Sequence, residues 1–324
     1  MRYNLLQPGG PRVSVIGFGA SALGNVFGDI PLSEGERAVH LAIDEGINFF
    51  DTSPYYGLTL SEQRLGAALE GRRDRVVLAT KCGRYGASAF NFSAKAITQG
   101  FEESLRRLRT DYVDLLQVHD CEFGTVEQIV EETLPALEEL RTAGKARLIG
   151  ITGYQLENLR TIARQASERG IRLDSVLSYC RYNLANTTME RELRPFAQAE
   201  GLGLINASPL HMGLLTQAGA PAWHPATPEA RAVCVRAAEF CTAQGVAIET
   251  LALRFCLDYS HVATTLVGMG TPEIVRANLR VLEGEEHTQL AHEVMEMLRA
   301  GGAETLWPSG LKQNWDPGTP VPEA

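Results

Sequence analysis

The sequence predicts an α/β fold, a closed (β/α)8 barrel of the TIM type with an N-terminal β-hairpin, extra helices and a C-terminal loop. Three observations predict it. Eight short apolar runs alternate with stretches of helical periodicity, the pattern of parallel strands buried between helices. The 324 residues, 44% hydrophobic and 21% charged, suit one such barrel with insertions. Ionisable groups recur at strand ends: Asp51 follows Ile47-Asn48-Phe49-Phe50, Lys81 follows the run 76–80, and His119 follows the run 113–118. Charges are costly in a core and belong where strand ends open onto a site. A doubly wound open sheet is the alternative. Eight units disfavour it, as does chemistry spread around the chain, because in a barrel every strand C-terminus faces one mouth. With no linker, short repeat or low-complexity block, residues 1–324 read as a single domain.

The elements follow in order. Tyr3-Asn4-Leu5 and Val13-Ser14-Val15 flank the turn signal Pro8-Gly9-Gly10, a hairpin pattern. The first barrel strand ends at Gly17-Phe18-Gly19, where glycine permits a ligand close to the backbone. The stretch GFGASALG lacks the full spacing of a dinucleotide fingerprint. Ser33 and Glu36 have capping-box spacing for a helix to Gly46. Strand 47–53 follows, broken by Pro54 and Gly57. Then come a helix over 61–70, strand 76–81, a helix from Ser93 to Leu108, and strand 113–119. Thr125 and Gln128 can cap a long helix ending near Gly144. Strand 146–151, helix 156–169 and strand 174–179 come next, and Thr187 with Glu190 repeats the capping-box spacing. After strand 203–208 a loop, 209–227, is rich in Pro, Gly and Ala. Helices 228–244 and 248–258 precede strand 262–267, and Thr271-Pro272-Glu273 starts a helix with proline at the tolerated first turn. A helix near 288–299 follows. The tail from Leu306 has no periodicity, and Trp307 within it is either disordered surface or part of a substrate lid over the mouth.

Composition excludes some classes. The net charge of −9 (30 basic against 39 acidic residues) makes nucleic acid and anionic membranes poor partners. No run approaches a membrane span, and the N-terminus shows no basic-then-apolar signal pattern. The six cysteines lack zinc-like spacing, so no metal site is expected. Most sit in apolar elements, as free thiols in a reducing cytoplasm would. Cys82 and Cys121 are the exceptions, each beside a strand-end residue, where pocket lining is the plain reading and a redox role the minor one.

The motifs GFGASALG, DTSPYYG, LATKCG and LLQVHD resemble those of the aldo-keto reductases, over a stretch from Gly17 to about Asn278. HDCEFG, GITG, LSYCRYN, ASPLHMGLL, WHPA, LVGMGTPE and TLWPSG are similar to the branch of that family that oxidises L-galactose- and L-fucose-type aldoses at C1 with NAD. The resemblance implies a catalytic tetrad of Asp51, Tyr56, Lys81 and His119. A free phenol is a poor base at neutral pH. A lysine ammonium beside it favours phenolate, and Asp51 would hold that lysine. Tyr55 is the neighbouring candidate for the base; the family's spacing favours Tyr56 and leaves Tyr55 to line the pocket.

For the cofactor the resemblance implies contacts at Gly19, Ala20, Asp51, Thr152, Ser178, Ser208, Leu210, Gly213, Leu215, Gly268, Gly270 and Asn278. For a small-molecule sugar it implies Tyr55, Tyr56, His119, Trp223 and Trp307, with His224 nearby. Three departures from the family pattern weaken the nicotinamide contacts. Thr152-Gly153 replaces Ser-Asn, the glutamine is replaced around Ser178 or Tyr179, and Ala207 replaces the stacking aromatic. NADP-preferring relatives carry cations just after the eighth strand. Here Gly268, Met269 and Ile274 stand there, Arg276 lies two residues further on, and Glu273 would repel a phosphate if it faces the ribose, so NAD is expected over NADP. An NADPH-dependent carbonyl reductase and a cofactor-binding regulatory subunit are the alternative functions. A monomer or weak homo-oligomer is expected.

Overall fold

The computed structural model describes residues 1–321. Strands β1 (Tyr3–Leu5) and β2 (Arg12–Ser14) pair antiparallel. Eight parallel strands close into a barrel: β3 (Ile16–Gly19), β4 (Phe49–Asp51), β5 (Val77–Cys82), β6 (Val113–Val118), β7 (Ala146–Gly153), β8 (Ser175–Tyr179), β9 (Gly203–Ala207) and β10 (Thr264–Gly268). Closure is made by β10 against β3, with Gly268 opposite Gly19.

Around the barrel run α1 (Leu32–Asp44), α2 (Leu60–Ala68), α3 (Ala94–Leu108), α4 (Val126–Gln128), α5 (Leu134–Thr142) and α6 (Leu156–Glu168). They are followed by α7 (Thr188–Glu192), α8 (Arg194–Ala199), α9 (Pro228–Ala243), α10 (Ile248–Leu257), α11 (Pro272–Glu283) and α12 (Thr288–Ala300). Among the described residues no single helix is long and apolar enough to cross a membrane.

The hairpin stoppers one end of the barrel. Leu6 and Val13 pack into the interior cluster of Phe49, Ala79, Leu115, Leu177, Ile205 and Leu266. At Gly203, where β9 begins, a Cβ would stand 2.0 Å from the Leu6 carbonyl oxygen, so the hairpin passes there only because the residue is glycine.

Alternation along the strands decides which side chains reach the interior. On β4, Phe49 points into the barrel and Phe50 into the helix layer. On β5, Ala79 is inside and the Thr80 hydroxyl turns out to Glu62. On β6, Leu115 is inside and Leu116 outside. Two residues on from each interior position stand Asp51, Lys81 and Gln117, and two beyond Gln117 stands His119.

Several sequence expectations change. The capping box at Ser33 and Glu36 does not form; α1 starts two residues earlier, with Pro31 rather than Ser33 as its boundary residue, and no side chain caps it. Thr187 flanks α7 without accepting a capping hydrogen bond, and Pro195 restarts the helix as α8. Caps do form at Ser93, Thr125 and Thr271, whose hydroxyls accept the amides of Ala96, Gln128 and Ile274. The long helix after Thr125 is interrupted by a π-turn, Ile129–Thr133, between α4 and α5.

As far as it is described, to residue 321, the tail is packed against the barrel and puts no residue on the cavity wall. It packs beside β7 and α6. Asp316 caps α6, its carboxylate accepting the Leu156 and Glu157 amides at 2.9 and 2.8 Å, and Arg181 Nη1 donates to the same carboxylate at 2.8 Å. All six cysteines are buried free thiols, and burial pushes the thiols of Cys82 and Cys121 upward, away from reactive thiolates.

Candidate active site

The strand C-termini open onto a cavity of about 1110 Å³. Small-molecule sites run from about 300 to 1,000 Å³, so this one has room for two ligands side by side. A groove of about 350 Å³ outside the barrel, between α10 and α12, receives none of the strand-tip residues.

Asp51, Tyr56, Lys81 and His119 come together on one wall of the cavity. Lys81 Nζ forms a buried ion pair with Asp51, donates to the Thr52 carbonyl at 2.9 Å, and reaches the Tyr56 hydroxyl at 3.3 Å. The other Asp51 oxygen accepts from Gln117 Nε2 at 3.0 Å. Burial pushes the Asp51 carboxyl up while Lys81 and Gln117 pull it back. Burial also works against the Lys81 charge, but Asp51 and the Tyr56 oxygen hold that amine above its ordinary value, so Lys81 stays an ammonium.

The Tyr56 phenol does not come out lowered, as the sequence reading expected. Burial raises it; Lys81 pulls it down, but Asp51 and Asp120 push with burial. Its hydroxyl is therefore protonated in the ligand-free cavity, with the ammonium ready beside it.

His119 lies across from Tyr56, the rings 5.7 Å apart and edge-on. Burial, then Lys81 and Arg84, hold the imidazole well below its ordinary value, so it is neutral. Ser53 Oγ accepts the Tyr55 amide at 3.0 Å and meets His119 Nδ1 at 2.9 Å. With the serine proton directed to Nδ1, Nε2 carries the imidazole proton and faces the cavity as a donor. The group thus offers one protonated phenol, one adjacent ammonium and one neutral donor, enough to hold an oxygen and exchange a proton with it.

The other expected residues divide. Gly19, Tyr55, Thr152, Ser208, Leu210, Gly213, Trp223, Gly268 and Gly270 line the cavity. Trp223 is 55% exposed and meets Phe27 across 6.0 Å at the rim. Ala20, Ser178, Leu215, Asn278 and Trp307 are not on the wall. Ala20 is buried behind it, where Ser21 and Ala22 line instead. Ser178 fails by parity: its neighbours Leu177 and Tyr179 face the cavity, so it faces the helix layer, its hydroxyl unbonded. Leu215 is buried against the outer cluster of α9 and α10, and Thr216 lines in its place. Asn278 lies one turn of α11 beyond Ile274, on the same face, with a buried amide nitrogen that has no partner. Trp307, 8% exposed, stacks on Tyr154 at 4.3 Å and meets His211 and His224 edge-on. His224 is structural too, donating from Nε2 to the His211 carbonyl at 3.0 Å.

Two charged wall residues escaped the sequence reading, Arg84 and Asp120. Asp120 follows His119 directly and was legible in the LLQVHD motif. Arg84 looked like any loop arginine, because the partners that aim it are distant in sequence.

Toward Gly268 and Ile274 the wall is neutral. Among the described residues, Asp51, Lys81, Arg84 and Asp120 are the charged side chains on the cavity, all at the strand-tip side. Arg276 and Glu273 are mostly exposed and off the wall, so Glu273 does not face a ligand there.

A family model described as the aldo/keto reductase family matches residues 15–300. The chain is 42% identical over 311 residues to L-galactose dehydrogenase of Arabidopsis thaliana, covering 94% of this chain and 96% of that one. It is 33% identical to D-arabinose 1-dehydrogenase of Saccharomyces cerevisiae, covering 96% of each. Among solved structures, an aldo-keto reductase from Bacillus halodurans in its holo form superposes with a TM-score of 0.76 at 26% identity, covering 98% of this chain and all of the other.

Proposed function

The chain belongs to the aldo/keto reductase family, and on that premise we propose that it is an aldose 1-dehydrogenase that oxidises L-galactose or a close relative at C1, with NAD, to the lactone. The observation that carries the reading is Lys81 Nζ between the Asp51 carboxylate and the Tyr56 hydroxyl, with a neutral His119 across the same cavity. The relatives named for aldose 1-oxidation over nearly the whole chain support the substrate class.

In this reading His119 Nε2 donates to the C1 oxygen and fixes it. Tyr56 takes the C1 hydroxyl proton, and Lys81 stabilises the phenolate this requires. Asp51 and Gln117 keep Lys81 in place. A nicotinamide held in this cavity would supply the hydride acceptor that C1 oxidation needs. The residues present fit a dinucleotide: Gly268 faces the cavity where a Cβ would meet nothing within 4 Å, and the orphaned Asn278 amide offers a donor beyond Ile274. Gly19, Ser208, Leu210 and Gly213 line the path between. The neutral wall at Gly268–Ile274 favours NAD, since a 2′-phosphate would lack a cation there.

Absorbance of reduced nicotinamide, followed with L-galactose, D-galactose and D-glucose, tests the assignment. L-Galactose is expected to give the highest kcat/KM, and a preference for D-glucose would overturn it.

A further inference from the structure

We propose that Asp120 and Arg84 read the hydroxyl on the carbon next to the reacting one, so that the enzyme selects 2-hydroxy aldoses against sugars lacking that group. The inference rests on the aldose dehydrogenase reading and names a substrate feature within it.

Asp120 is placed to do this. Its carboxylate is buried and lines the cavity, and Oδ2 stands 3.8 Å from His119 Nε2. An oxygen held by Nε2 leaves the vicinal oxygen of a 1,2-diol facing that carboxylate, because the two oxygens of such a diol lie a hydrogen-bond length apart. The backbone at Asp120 is forced: φ is 52°, in the left-handed region, and its amide is tied to Thr152 Oγ1 at 3.1 Å. A non-glycine residue held there is strained, and such strain gathers where a side chain must be aimed.

Arg84 completes the reader. It forms an ion pair with Asp120 and lines the same cavity. Its guanidinium sits 3.8 Å over the Tyr55 ring and also faces the rings of Phe90 and Phe123 at 5.1 and 5.5 Å. A β-bridge between Arg84 and Phe90 fixes the loop that carries it. Held this way, the guanidinium loses little freedom on binding and presents unused N–H donors in a fixed plane.

The pair differs from Asp51 and Lys81 in what it is free to do. Asp51 is occupied by Lys81 and Gln117, and Lys81 by Asp51, Thr52 and Tyr56. Arg84 and Asp120 act on the catalytic tetrad only through their charges, which bias His119 and Tyr56, and make no hydrogen bond to it. A carboxylate and a guanidinium together supply an acceptor and donors to one hydroxyl, and a site built to hydrogen-bond a substrate OH rejects the analogue lacking it because its buried polar groups go unpaired.

The experiment measures kcat/KM for L-galactose and 2-deoxy-L-galactose in the NAD-bound wild-type enzyme and in Asp120→Asn and Arg84→Gln. The wild type is expected to favour the parent sugar by about 100-fold, and both variants to compress that ratio below about tenfold while half-saturation by NAD stays put. The ratio cancels any general loss of activity, and its change from wild type to variant also cancels the different intrinsic reactivity of the deoxy sugar. A wild-type ratio near one overturns the proposal without the variants being needed. A ratio unchanged in both variants also overturns it and leaves the ion pair a structural one. Turnover of the parent sugar in the same series separates these failures from failure of the dehydrogenase reading, in which no aldose is oxidised and this inference falls with it.

Discussion

On one side of the cavity Asp51, Lys81, His119 and Asp120 are buried and Arg84 partly so, tied to one another and to Gln117, Ser53 and Thr152. On the other side Gly19, Gly268, Gly270, Ile274 and the loop from Ser208 to Pro221 offer no charge. The first wall depends on charges whose partners are already in place, so that a reacting oxygen meets a preorganised field. The second recognises by shape and backbone. A substitution should therefore be costly in rate on the strand-tip wall, and on the neutral wall should change only which ligand fits.

The largest effect is expected at Tyr56. Tyr56→Phe removes the proton acceptor and should lower kcat by about 10³- to 10⁴-fold. Lys81→Met should do nearly the same; the chain stays folded because burial lets the stranded Asp51 carboxyl take up a proton. Steady-state kinetics with far-UV circular dichroism checks both, and near-wild-type turnover by Tyr56→Phe would erase the contrast between the walls. Oxidation by the wild type should keep accelerating into alkaline pH, because burial holds the Tyr56 phenol up, with no acid limb near the ordinary imidazole value, because His119 stays neutral there.

Behind the strand-tip wall the tail should matter for stability alone. Trp307→Ala deletes a ring buried on Tyr154 and should cost about 3 kcal/mol in urea unfolding. Sugar KM should move less than about twofold, whereas a rise of tenfold or more would return Trp307 to the substrate site.

Electrostatics behind that wall has a sign that can be measured. Glu122 is buried, its carboxylate accepting only the Tyr154 amide and the Ser309 hydroxyl at 3.0 Å each. Burial, helped by Asp120, pushes it up to about 8. Between the ordinary carboxyl value and about 8, the native state holds a proton that the unfolded chain has released. Stability is thus full below that window and lost as pH rises through it. From pH 6.5 to 8 the decline should reach about 2 kcal/mol, and Glu122→Gln should flatten it. Buried His211, lowered to about 3 by burial and then His224, works the other way. The unfolded histidine gains a proton the native one refuses, so stability falls as pH drops below about 6.5.

The smallest effect belongs to the neutral wall. NAD should be preferred over NADP by about tenfold or more in kcat/KM, about 1.4 kcal/mol. Gly268→Arg adds the missing cation where a Cβ has open space, and should close most of that gap while leaving kcat with NAD within about threefold. Equal use of both cofactors by the wild type would mean that a cation off the wall, such as Arg276, reaches the phosphate.

The sequence by itself determined the barrel and its reactive strand tips. Eight apolar runs fix eight buried strands, and the spacing of Asp51, Lys81 and His119 along them puts all three on interior positions, because strand alternation is a local property. The choice of Tyr56 over Tyr55 rests on the family resemblance, since the loop after Asp51 offers both. Where helices begin was legible at Ser93, Thr125 and Thr271, whose hydroxyls meet an amide three residues away; at Ser33 the preceding Pro31 takes the boundary instead, and Thr187 stands at its helix start without capping it. The tertiary structure alone decided what depends on distant partners. Tyr179, not Ser178, faces the cavity because a one-residue difference in phase exchanges the two faces of β8. Trp307 turned from a lid into core because Tyr154, His211 and His224 gather around it from three other segments. The Tyr56 phenol is raised, not lowered, because burial acts through the whole surrounding volume, which no local motif encodes. Arg84 became a cavity residue only when Tyr55, Phe90, Phe123 and Asp120 closed around it.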